Sequence, residues 1–199
     1  AYAKAWIEQQ FGKRLSEEDK QELFVLLDGF TKWNAARHPE AMAPEIYHPC
    51  HFREGERVWN EVHMLMETAQ RLNERMPKEC LDAYCSMIYY PAMASFHLIL
   101  MHIEAGWNAF YAKQGSMAAN ALAASIKRHA VKDRQYVRAY HALAGGKWNH
   151  MMDSAHTGFR SWDAHDWMYP SVQEVIPLPM AKIIVSFRGG EAFHLGEHW

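Results

Sequence analysis

Between Gly145 and Trp162 the chain reads GGKWNHMMDSAHTGFRSW, which gathers Trp148, His150, Asp153, His156, Arg160 and Trp162 just behind a helix stop. Loops and helix ends in such places often carry function. Three chemistries compete for these residues. His150, Asp153 and His156 are metal-ligand types, but on a helix only two of them would share a face, and zinc needs three or four ligands. Alternatively, the indole faces of Trp148 and Trp162 can stack on pyranose rings. His150, His156 and Arg160 would then bond sugar hydroxyls or a uronate carboxylate, Arg bidentately. The plainest reading has the tryptophans plugging the end of a helical bundle while the polar groups satisfy helix carbonyls.

Other clusters carry less. His48, Cys50 and His51 lack a second ligand pair at zinc-site spacing. His97 and His102 fall on different faces of one helix and read as packing or interhelical hydrogen-bonding residues. His165-Asp166 beside Trp167 reads as a loop feature, and Met64, Met66, Met151 and Met152 as core filler. No phosphate-cradling glycine loop, dinucleotide fingerprint or nucleophile elbow is present. The cysteines Cys50, Cys80 and Cys85 cannot pair completely and show no C-x-x-C spacing. No catalytic residue, metal or cofactor is assigned.

The elements that must position these residues are helical. Ser16 is an N-cap, followed by acidic Glu17, Glu18 and Asp19 and by Leu23, Leu26, Leu27, Phe30 and Trp33 at helical spacing. Gly29 inside that helix requires compensation from helix packing. His38-Pro39 stops the run, and Pro39, Pro44 and Pro49 mark an irregular connector. Val58, Val62, Leu65, Ala69, Leu72 and Met76 form a stripe that ends at Pro77. A longer stripe from Leu81 to Phe110 predicts a central helix kinked at Pro91. An Ala-rich helix from Met117 to about Ala130 follows, its small Ala118, Ala119, Ala121, Ala123 and Ala124 inviting close approach of a neighbour. Asp133 is expected to cap another helix, which Gly145-Gly146 closes. KIIVSFR (182–188) and EAFHL (191–195) are β-like. The fold class expected is mainly α: an antiparallel helical bundle over 1–180, then a short C-terminal β segment over 181–199.

At 199 residues and 49% apolar composition the chain can bury a sizeable core, and its net charge of −2 offers no basic surplus for a nucleic-acid backbone. No apolar run approaches the ~20 residues that span a bilayer. Neither nucleic acid nor membrane is therefore expected as a partner. The opening AYAKAWIEQQFG has no initiator Met or signal-peptide layout, and the chain closes on GEHW behind two β-like stretches. Both ends read as those of a segment from a longer protein.

AWIEQQFGK, HFREGERVWNEV (51–62), DAYCSMIYYPAMAS (82–95), GWNAFYAKQGSMAANALA (106–123), GGKWNHMMDSAHTGFRSW (145–162) and VIPLPM (175–180) follow one another in order. Together they resemble glycoside hydrolase family 115, α-glucuronidases that remove (4-O-methyl-)glucuronic acid from xylan. The resemblance implies a multidomain parent in which this helical bundle follows a catalytic barrel, with residues 181–199 opening a β-sandwich. The catalytic carboxylates would lie upstream, leaving this segment inactive alone. It further implies glucuronoxylan as the partner of the full-length enzyme, upstream barrel and downstream β domains as neighbours, and a secreted or periplasmic setting; a homodimer is a separate possibility. The bundle would support the barrel, with the 147–162 edge walling the substrate cleft. The alternative is a structural or dimerising module without substrate contact. One departure stands out: His156-Thr157-Gly158-Phe159 replaces an expected H-I-G-Y.

Overall fold

The computed structural model describes residues 2–155, 157–158, 168–186 and 193–194. The fold is mainly α. Its helices are α1 (Tyr2–Gln10), α2 (Glu17–Ala36), α3 (Glu54–Arg75), α4 (Lys78–Tyr84), α5 (Tyr90–Lys113) and α6 (Ala118–Gly146). The core forms where their apolar stripes meet. In α3, Val58, Val62, Leu65, Ala69 and Leu72 are all buried, with Met76 just beyond, and they face Leu23, Leu26 and Trp33 of α2 and Phe96, Ile99 and Ile103 of α5. Ser16 caps α2 as its spacing predicts, its hydroxyl accepting the Asp19 N–H at 3.1 Å. Gly29 is the close-approach point of α2 and α3. A methyl group there would lie 2.6 Å from Leu65 Cδ1, so packing offsets the helix cost of glycine.

Several expectations need revision. The Leu81–Phe110 stripe is not one kinked helix. The winding widens into a π turn over Cys85–Tyr89, where Tyr90 N–H bonds the Cys85 carbonyl, and Pro91 then sits in the first turn of α5. The extra residue in that turn accommodates a ring that has no N–H and would otherwise strike the Met87 carbonyl. Asp133 caps nothing. The helix runs through it, and its fully buried carboxylate accepts the Tyr169 hydroxyl at 2.9 Å. Helical winding stops at Leu143, ahead of the glycine pair, with Ala144 turning left-handed at φ 49°. Met64 and Met151 are exposed rather than core filler, because each lies on the outer side of its element.

α5 and α6 share the most extensive interface. Of the small residues on α6, Ala119 and Ala123 are buried against α5, whereas Ala118, Ala121 and Ala124 face outward. Along this seam the tail returns over the bundle, held by two asparagine side chains acting as strand surrogates. Asn108 Nδ2 donates to the Gln173 and Ala119 carbonyls at 2.8 Å, while its Oδ1 accepts from Gln173 N–H at 2.8 Å. Asn120 likewise donates to the Val175 carbonyl at 2.9 Å and accepts from Val175 N–H at 2.7 Å. Beyond the tail, β1 (Val185–Ser186) pairs antiparallel with β2 (Phe193–His194), Val185 opposite His194.

Candidate functional site

The edge begins where α6 stops. Ala144, Gly145 and Gly146 take positive φ values of 49°, 68° and 86° in succession and reverse the chain into turns over Lys147–Met152. Within them His150 holds φ 66°, a left-handed conformation that costs about 1–2 kcal/mol for a non-glycine residue. That bend brings together what a helix would separate. His150 Nδ1 lies 2.6 Å from Asp153 Oδ2, and His141 Nε2 lies 3.7 Å from Asp153 Oδ1. Met152 N–H donates to His141 Nε2 at 3.1 Å, so that ring nitrogen is an acceptor and its lone pair is engaged. Among the described residues no group of three His, Cys, Asp or Glu side chains is placed to hold a metal ion.

Asp153 thus orients an imidazole whose side chain is 77% exposed. A carboxylate-oriented histidine on a surface turn can donate to, or accept from, a hydroxyl or carboxylate brought to that edge. Trp148 sits beside it, partly buried against Tyr90, Val137 and Tyr140, with Lys147 Nζ 4.5 Å from its ring centroid. Its indole is therefore a plug in the bundle end, as the plainest reading holds, with part of its surface still open. Of the other candidates, His156, Arg160 and Trp162 lie outside the described residues, as do His165, Asp166 and Trp167. Thr157 Oγ1 donates to the Met168 carbonyl at 3.2 Å. His141 escaped the sequence reading because nothing in a helix-interior histidine signals that a later turn will fold back onto it.

A second polar cluster lies in the core between α5 and α6. His97 Nδ1 and His129 Nδ1 are 2.7 Å apart, so a single proton lies between them. His129 Nε2 approaches Glu104 Oε2 at 3.4 Å, and Trp59 Nε1–H donates to Glu104 Oε1 at 3.2 Å. Burial, reinforced by the neighbouring His129 and Lys132 charges, lowers the His97 pKa to about 3, so this ring stays neutral. Burial alone would push the Glu104 carboxyl up, but hydrogen bonds from His129, Ser125 and Trp59 together hold it below its usual value. His97 is the interhelical residue its position suggested. Its partners could not be read from spacing, since His129 is on another helix. In the connector, His48 and His51 stack with centroids 3.8 Å apart, and Cys50 N–H donates to His48 Nδ1 at 3.1 Å. This pair shapes a turn.

No family model matches the chain, and no curated protein does. Among solved structures it is similar to a family GH115 4-O-methyl-α-glucuronidase with specificity for decorated arabinogalactans. The TM-score is 0.65 at 20% sequence identity, over 90% of this chain and 23% of that one. The likeness is one of fold, and the chain spans less than a quarter of the solved structure's length.

Proposed function

We propose that this chain is the helical-bundle segment of a carbohydrate-active glycoside hydrolase of the α-glucuronidase type, one that removes (4-O-methyl-)glucuronic acid side groups from xylan. The observation that carries the reading is the fold shared with a region of a GH115 glucuronidase over nine-tenths of this chain. In this reading residues 1–180 are the bundle that supports a catalytic barrel, and 181–199 are the first strands of a β-sandwich. Hydrolysis of this kind uses two carboxylates, one protonating the leaving oxygen and one activating water or attacking the sugar. Those carboxylates belong to the upstream domain, and the enzyme works in a secreted or periplasmic setting on glucuronoxylan.

The bundle's own part is at its edge. Trp148 offers indole surface to a sugar ring, and His150, held by Asp153, offers a hydrogen bond to a hydroxyl or uronate. His156, Arg160 and Trp162, which follow in the sequence and lie outside the described residues, remain candidates for the same role. A second reading, a dimerising or purely structural module, draws support from the row of exposed Ile176, Leu178, Met180 and Ile183 in the tail, since such a row marks contact with another surface. Replacing Trp148 or His150 with Ala in the longer enzyme separates the two. The cleft-wall reading expects uronic-acid release from glucuronoxylan to fall at least about tenfold in both, with the melting temperature little changed for the exposed His150 variant and lowered for the packed Trp148 variant. Unchanged turnover in both variants would leave the structural reading.

A further inference from the structure

Next to this edge lies a groove of about 520 Å³. Its walls come from four separate parts of the chain: α2, the short turn at Pro39–Ala41, the start of α5, and the loop after Met152. The surfaces that meet there are Phe30, Asn34, Glu40, Tyr90, Ser95 and Ser154. Its size falls within the roughly 300–1,000 Å³ typical of small-molecule sites. Its chemistry is mixed in a particular way. Phe30 and the edge of the largely buried Tyr90 supply apolar surface, and the Asn34 carboxamide, the Ser154 and mostly buried Ser95 hydroxyls and the Glu40 carboxylate supply hydrogen bonds.

We propose that this groove binds a neutral pyranose residue, such as a backbone sugar of the polysaccharide; the inference rests on the carbohydrate reading above and extends it. Three observations carry it. First, a pyranose presents apolar C–H faces and a rim of hydroxyls, and this lining offers partners for both. Second, Asn34 Nδ2 makes only a long 3.4 Å bond to Ser95 Oγ, while its buried Oδ1 has no hydrogen-bond partner. Unmatched buried acceptors are uncommon and call for an explanation. A turn of the amide toward a ligand hydroxyl would satisfy it while giving up only that weak bond. Third, two walls carry restricted backbone. Pro39 and Pro91 line the groove, and Tyr90 is packed on Tyr140 with ring centroids 4.6 Å apart, so little ordering is needed on binding.

The charge at the rim sets the class. Among the described residues Glu40 is the one charged residue of the lining. A carboxylate accepts from vicinal hydroxyls but repels a uronate. Neutral backbone sugar is therefore favoured here over the acidic side group.

The test uses this chain isotopically labelled, with xylotetraose as the neutral probe and glucuronic acid as the acidic one, each titrated to about 10 mM because single-sugar contacts are weak. The expected result is amide shift changes at Phe30, Asn34, Ser95 and Ser154 with xylotetraose and much smaller ones with glucuronic acid. Glu40→Ala, and Ser154→Trp placed to fill the mouth, both change exposed residues. Each should weaken xylotetraose binding about tenfold with the rest of the spectrum preserved. Absence of shifts, shifts confined to other residues, unaffected binding in both variants, or preference for glucuronic acid would each overturn the proposal. Uronic-acid release by the longer enzyme is scored separately: release without groove binding refutes the groove alone.

Discussion

His97 makes the bundle sensitive to acid. Its folded pKa is lowered to about 3 from 6.5 by burial and by the positive charge that His129, Lys132 and His63 direct at it, against a smaller opposing effect of Glu104. Between those values the unfolded chain binds a proton that the folded chain refuses. Stability is therefore fully present above about pH 6.5 and drains away as the pH falls toward 3. Near pH 5 the loss from His97 should be about 2 kcal/mol, read from urea melts at pH 7 and pH 5, and His97→Phe should reduce that difference, leaving the part that buried His102 contributes. A wild-type melt equally stable at both values would contradict the neutral buried ring. His150 makes the opposite case, a residue whose cost is in its backbone. Replacing it with Gly relieves φ 66° but removes an exposed bond to Asp153, so stability should stay within about 0.5 kcal/mol. If the edge walls the cleft, turnover of the longer enzyme falls in the same variant.

At the scale of elements, close approach and borrowed hydrogen bonds decide the packing. A Cβ on Gly106 would lie 2.4 Å from the Pro44 carbonyl oxygen, backbone against backbone, whereas one on Gly29 meets only the Leu65 side chain. Gly106→Ala should therefore cost about 2–3 kcal/mol and Gly29→Ala less, since Leu65 can change rotamer. Equal costs in thermal melts would mean the connector moves aside easily. Asn108→Ala removes the bonds that hold the tail at Gln173, and amide exchange there should speed up while the α3 core stays protected. The expected cost is about 2 kcal/mol. These elements also mark the limits of reading from sequence. The stripe Val58–Met76 and the Ser16 cap were legible because they are local: periodicity and one side-chain bond specify them. The π turn before Pro91, the burial of Asp133 and the Asn108 clamp were not, because each depends on a partner far along the chain. Asp133 reads as a cap until Tyr169 arrives to bury it.

For the whole molecule, a mainly α bundle follows from the helical stripes, and its fold is shared with part of a much longer glucuronidase. The candidate site was legible to a smaller degree. Trp148 and His150 do come to one edge, but the His150–Asp153 pair forms through a left-handed turn that no helical spacing foretells. His141 joins them from the preceding helix. The groove bounded by Asn34 and Glu40 was invisible in sequence, its walls being scattered across the chain. Along the tail Ile176, Leu178, Met180 and Ile183 are exposed. The central claim, a bundle segment serving a uronic-acid-releasing hydrolase, is tested most directly by one assay. Uronic-acid release from glucuronoxylan is measured side by side for this chain and for the longer protein that contains it. The account predicts release by the longer protein and none by this chain. Release by neither, or release by this chain alone, would contradict it.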